Sequence, residues 1–201
     1  MKTAEFSVTW DYRCPFARNA NEHILTALQG GAEWDVTFIP FCLDQAHVDE
    51  GEKDVWGDES MTHNLLAGQV GIVVRDRVPE QFTKVHLSIF RARHDESLDL
   101  RDEDVLRSRL AACDVDPNMV FANIEDGWPL EVYRKEHEAA VENHSVFGVP
   151  TFIVGDQAAF VRLMTRPEGD SGTARAVIEN VLGTMALHPE LNEFKHTSID
   201  F

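Results

Sequence analysis

Apolar and polar residues alternate at the start of the chain, where "EFSVTW" sets Phe6, Val8 and Trp10 against Glu5, Ser7 and Thr9. A period of two predicts a strand. "WDVTFIPF" repeats the pattern at Trp34, Val36 and Phe38, so a second strand is expected there. Between the two, Pro15 stands where a first helical residue needs no intrahelical N–H partner, and a helix is predicted to run on to Gly30-Gly31. A β-α-β unit has a right-handed crossover and parallel strands, so both strands end on the same edge of the sheet. Over residues 58–145 the period becomes helical. Pro79 opens a segment with Phe82, Val85, Ile89 and Phe90 on one face. Asp116-Pro117 and Trp128-Pro129 start two more, the second carrying Leu130, Tyr133, His137 and Val141. "GVPTFIVGDQAAFVRL" then places two apolar runs around Gly155-Asp156, which predicts a β-hairpin. A closing helix follows with the stripe Ala174, Val177, Ile178, Val181, Leu182 and Met185. The predicted class is α/β, in the order β-α-β, helical block, β-β-α. Residues 1–57 and 146–201 form the α/β unit, and 58–145 an inserted helical subdomain.

Composition narrows the function. With 201 residues, 43% of them hydrophobic, the chain can bury one well-formed core. Eighteen Lys and Arg against 35 Asp and Glu give a formal charge of -17, which repels phosphate backbones and anionic lipid. Neither nucleic acid nor membrane is expected as a partner. "MKTAEFSVTWDYR" has no apolar core of signal-peptide length, and no stretch approaches the roughly 18 apolar residues of a membrane span. A cytoplasmic location is expected. Three scattered cysteines, Cys14, Cys42 and Cys113, are then reduced thiols rather than a disulfide framework.

The chemistry concentrates in "WDYRCPFARN", where Cys14-Pro15-Phe16-Ala17 has the outline of a Cys-x-x-Cys motif with only its first cysteine. A lone cysteine there bonds to something outside the motif. A helix N-terminus offers unpaired N–H groups to a thiolate, so the Cys14 pKa is expected to fall. Arg13 and Arg18 are expected to add cationic field, and Asp11 to oppose it or take a proton. The alternative, Cys14 as a small apolar core residue, fits poorly with a loop at a helix start. Cys42 follows the second strand on the same edge and is a candidate resolving thiol. A buried free thiol is the blander reading, because Cα atoms more than about 7 Å apart cannot be bridged. Cys113 reads as core. Trp10, Tyr12, Phe16 and Trp128 are either an apolar wall for a substrate or core. His137 and His144 share a helix face without the ligand spacings of a zinc site, so no metal is expected.

The strand-cysteine-proline-helix element, together with the distant "GVPTF" of Gly148, Val149, Pro150, Thr151 and Phe152, resembles the DsbA family over nearly the whole chain. "FGVPTFIVG" and "LNEFKHTSID" are similar to an intracellular, actinobacterial branch of it. The resemblance implies a thioredoxin fold with an all-helical insertion between the second and third strands. It also implies a cis Pro150 beside Cys14, and Val149 backbone groups turned toward an extended peptide or thiol tripeptide. Pro15, Phe16, Val149, Pro150, Thr151, Trp10 and Tyr12 are the implied substrate-binding set. Ala17 departs from the pattern, standing where oxidoreductases of the family carry their second cysteine. The implied activity is thiol-disulfide exchange or thiol transfer by Cys14 on a small thiol or protein disulfide, with no tightly bound cofactor and with mycothiol or glutathione as external thiol. Hydroxychromene carboxylate isomerase and glutathione transferase kappa are relatives that use a bound thiol, usually with serine at the Cys14 position, and they supply the alternative. A non-catalytic peptide-binding protein is a third reading.

Overall fold

The structure, a computed structural model, describes residues 4–49 and 51–196. β1 (Ala4–Trp10) leads through α1 (Pro15–Gln29) into β2 (Trp34–Pro40), which lies parallel to β1 with Phe6 opposite Val36 and Trp10 opposite Pro40. The Phe41 N–H continues the ladder to the Trp10 carbonyl at 2.8 Å, so both strands do end on one edge. A short α2 (Leu43–Ala46) follows. The helical layer then comprises α3 (Leu66–Arg77), α4 (Pro79–His94), α5 (Glu103–Ala112), α6 (Pro117–Glu125) and α7 (Trp128–His144). β3 (Thr151–Val154) returns antiparallel to β1 on its free side, and β4 (Gln157–Phe160) folds back on β3 across a two-residue turn with Gly155 at φ 57°. α8 (Ser171–Leu187) closes the described chain beside α1. The sheet order is β2-β1-β3-β4.

β1 is central, and this changes the meaning of its alternation. Phe6, Val8 and Trp10 are buried as their period predicts, but Thr9 on the other face is fully covered as well. Its hydroxyl accepts the Thr151 N–H at 2.8 Å, while the Thr151 hydroxyl donates to the Gly148 carbonyl at 2.8 Å. A buried polar pair is tolerated because each group is satisfied. The two bonds fix the turn that leads into β3.

α3 is the least predicted element. Every residue from Leu66 to Val74 is buried, including Gln69. A helix covered on all sides has no polar stripe for periodicity to detect. It approaches the ends of β1 and α7 closely: a Cβ on Gly71 would stand 2.6 Å from the Tyr12 hydroxyl and 2.7 Å from the Trp10 ring, and one on Gly68 would overlap the Tyr133 ring. The core runs without a break from the sheet into the helical layer.

Candidate functional site

Cys14 is the N-cap of α1, with extended φ and ψ of -90° and 118°. Its Sγ accepts the Ala17 N–H at 3.4 Å, and its thiol donates to the Val149 carbonyl at 3.3 Å. The Val149-Pro150 peptide bond is cis. Two segments 135 residues apart thus meet at one sulfur. Pro15 is exposed and Phe16 half-buried on the rim, while Val149, Pro150 and Thr151 lie buried beneath it.

The expected depression of the Cys14 pKa is not what the site shows. Burial pushes the thiol above its ordinary 9.0, with the Asp11 carboxylate adding to the rise. The N–H groups of Ala17 and Phe16 and the Arg162 cation oppose the rise without cancelling it. Cys14 is only 8% exposed beside Val149, and desolvation outweighs the helix terminus. The resting group is a neutral thiol. Arg13 and Arg18 supply little of the field expected of them, because both are committed elsewhere. Arg13 holds Asp11 at 3.0 Å and Asp44 at 2.6 Å, and Arg18 binds Asp95 through Nη2 at 2.6 and 2.7 Å. Burial works against the Arg13 charge, and its two carboxylates more than restore it. Asp11 also accepts the backbone N–H of Arg13 and of Leu43, which ties the cysteine loop to α2.

Cys42 is the N-cap of α2 and fully buried; burial lifts its thiol to about 12. Its N–H donates to His137 Nδ1 at 3.2 Å, and its sulfur neighbours Tyr133 of α7. Cys113 sits at the end of α5 and is 3% exposed. All three thiols are free.

Two residues expected on the substrate wall are placed in the interior. Trp10 is fully buried against Tyr12 and His86, because β1 is covered on both faces. The Tyr12 ring is buried too, and its hydroxyl meets His86 Nδ1 at 2.8 Å. Asn21 Nδ2 donates to the Ala17 carbonyl, so Asn21 Oδ1 faces His86 Nε2 at 3.1 Å as an acceptor. His86 therefore carries its proton on Nε2 and accepts from Tyr12. This chain of bonds joins α1, the cysteine loop and α4. Trp128 belongs to the helical layer, where its Nε1 donates to Asn123.

Sequence reasoning missed an aromatic and cationic group beside the turn into β3. Phe147 is 72% exposed and Phe160 37%, with ring centroids 5.2 Å apart. The Arg162 guanidinium lies 5.4 Å from the Phe16 ring and 5.9 Å from that of Phe160. Their nearness to the Val149-Pro150 turn in "SVFGVPTF" and "AFVR" was the available signal. Cation–π contact of this kind holds a guanidinium in place without neutralising it.

Residues 7–165 match the family model of the DSBA-like thioredoxin domain. The chain belongs to this family. No curated protein sequence matches it. Among solved structures, this DsbA-like chain is similar to 2-hydroxychromene-2-carboxylate isomerase, at 14% identity and a TM-score of 0.63, over 94% of this chain and 100% of that one. DsbA of Pseudomonas aeruginosa aligns at 19% identity and 0.55, covering 92% and 86%. Oxidised BdbD of Bacillus subtilis aligns at 16% and 0.58, covering 89% and 87%. At these identities the likeness shows the fold, which spans oxidoreductases and an isomerase.

Ala17 gives this DsbA-like site its chemical limit. With no second sulfur in the first turn of α1, no disulfide closes within the motif. No group of three or more His, Cys, Asp or Glu side chains is placed to hold a metal among the described residues. No described helix is long and apolar enough to cross a membrane. A cavity of about 570 Å³ runs along the outer edge of β2 and is lined by none of the cysteine-loop residues. A second, of about 420 Å³, opens beside Asp11, Tyr12 and Arg13.

Proposed function

We propose that the protein is a monothiol exchange enzyme acting on disulfides through Cys14. The observation that carries this reading is the position of the sulfur: N-cap of α1, against the Val149 carbonyl, and the least covered of three free thiols. A ligand N–H that takes the Val149 carbonyl removes the acceptor of the thiol proton. The proton then leaves to solvent, and the Ala17 and Phe16 N–H groups and the Arg162 cation face the thiolate left behind. The thiolate attacks one sulfur of the disulfide; a Cys14–S bond forms, the substrate S–S bond breaks, and the departing thiolate takes up a proton. A second thiol repeats the exchange, so that Cys14 returns to the thiol and the partner leaves as a new disulfide. The substrates are disulfides of a small thiol or of a protein. Glutathione or mycothiol, neither held as a resident cofactor, completes the cycle in the cytoplasm.

Incubation with oxidised glutathione followed by intact and peptide mass spectrometry tests this reading. A single adduct on Cys14, released by added thiol and absent in Cys14→Ser, is expected. Adducts confined to Cys42 or Cys113 contradict it.

One observation favours a second reading. A thiol held neutral by burial resembles a hydroxyl in its resting chemistry, and the isomerase neighbour has the TM-score of 0.63 given above. In that case a bound external thiol acts as nucleophile, and Cys14 orients it. Thiol-dependent isomerisation of 2-hydroxychromene-2-carboxylate that survives Cys14→Ser selects this reading over exchange.

A further inference from the structure

Six large apolar side chains are exposed among the described residues, and five of them fall into two groups. Phe147 and Phe160 form one, ring against ring beside the turn into β3. Leu187, Leu191 and Phe194 form the other, where the chain leaves α8. The course of the chain brings both groups to the cysteine end of the molecule. After β4, segment 161–170 runs down along α1: Arg162 lies over the Phe16 ring, Asn19 Nδ2 donates to the Leu163 carbonyl at 2.8 Å, and Arg166 pairs with Glu22 at 2.8 Å. α8 therefore starts at the far end of α1, where a Cβ on Gly30 would overlap Ser171 and Ala27 packs with Ala174. It returns antiparallel to α1. Both helices are about 24 Å long, so the end of α8 stands level with Cys14.

Beyond α8 the Leu191 N–H donates to the His188 carbonyl at 3.0 Å, and residues 191–196 form no helix or strand. Leu187 is 75% exposed and Phe194 77%, and neither they nor Leu191 join the core. Two uncovered apolar groups at one end of a molecule gain by covering each other. From Leu187 to Phe194 the chain reaches about 24 Å when extended, against about 8–10 Å between the axes of packed helices. The charges are complementary. Glu193 precedes Phe194, and the exposed Arg162 guanidinium lies 5.9 Å from the Phe160 ring. The Arg162 charge also acts on Cys14, so the aromatic pair borders the thiol. The tail lies beyond residues 7–165, which the family model matches.

We infer that residues 188–196 close as a strap over Phe147 and Phe160, with Leu191 and Phe194 on the rings and Glu193 toward Arg162, and that the seated strap competes with bulky partners of Cys14. The structure holds the open arrangement. The inference deepens the exchange reading and rests on it only for the identity of the partner that the strap excludes.

Two measurements on the full chain test the strap. The first is the rate at which a neutral, bulky biotin-linked maleimide labels Cys14. A thiol accessible for a fifth of the time reacts at a fifth of its open rate, so Leu191→Ser with Phe194→Ser is expected to raise labelling about fivefold, and Phe147→Ser to do the same. Combining the tail and patch variants should add nothing further, because each removes the same contact. No rise at Cys14, a rise shared by the buried Cys42 and Cys113, or fully additive effects overturn the inference. The second measurement is tryptic cleavage after Lys195, which reads closure without any reaction at sulfur. Cleavage is expected to quicken in Phe147→Ser and to be independent of protein concentration over about a hundredfold range, as an intramolecular contact requires. Cleavage indifferent to Phe147, or protection that grows with concentration and so assigns the contact to a second copy, overturns the strap. Maleimide labelling needs no disulfide, so a Cys14 that never takes an adduct from oxidised glutathione removes the exchange reading alone, and a failed strap leaves exchange standing.

Discussion

On the Cys14 sulfur two effects act in opposite directions. Two backbone N–H groups and Arg162 favour the thiolate, while loss of water under Val149 disfavours it. Desolvation wins because the sulfur is nearly covered and its nearest fixed acceptor, the Val149 carbonyl, prefers a proton between them. Alkylation by iodoacetamide checks the balance. Cys14 is expected to react before Cys42 and Cys113, being less covered than either, and its rate is expected to climb roughly tenfold per pH unit through pH 9. A plateau between pH 6 and 7, or equal rates for all three thiols, contradicts this account. Cys42 should stay silent until much higher pH, since burial holds its thiol at about 12.

Among the elements, α3 decides how the helical layer meets the sheet. Gly71 lets its backbone ride directly on Trp10 and Tyr12, the residues that end β1 and begin the cysteine loop. Helix propensity alone predicts that Gly71→Ala stabilises α3 by about 1 kcal/mol. Packing predicts the reverse, because the added methyl meets a buried hydroxyl at 2.6 Å whose own bond to His86 holds it in place. A net loss of about 1–3 kcal/mol is expected, read as a lowered midpoint in thermal or urea unfolding. A raised midpoint would show that α3 has room to withdraw. α1 belongs to the same system, since Asn21 links its Ala17 carbonyl to His86.

The whole molecule responds to acid through two buried imidazoles. Burial lowers His86 from 6.5 to about 3 and His137 from 6.5 to about 4. Below pH 6.5 the unfolded chain takes up protons at both positions, and the folded chain does not until pH approaches those lower values. Stability is therefore full above about pH 6.5 and lost progressively as pH falls toward 4. Thermal unfolding followed from pH 7.5 to 4 should show a declining midpoint across that window. A midpoint constant between 6.5 and 4 would mean that neither ring is buried neutral in solution.

Local periodicity determined most of the strand and helix order here. The alternation of "EFSVTW" and "WDVTFIPF", the proline helix starts at Pro15, Pro79, Pro117 and Pro129, and the Gly155-Asp156 turn are all short-range signals that survive in the structure. Cys14 at the head of α1 was legible for the same reason. Burial was not. Thr9, Trp10 and Tyr12 became interior because β1 lies between β2 and β3 with helices over both faces, and α3 escaped notice because a fully covered helix leaves no stripe. The meeting of Cys14 with Val149, and of Phe16 with Arg162, joins residues more than a hundred positions apart. Sequence fixes which side chains exist and their local geometry. Solvent exclusion, which sets the thiol proton, depends on what the remainder of the chain packs against Cys14, and only the tertiary structure decides that.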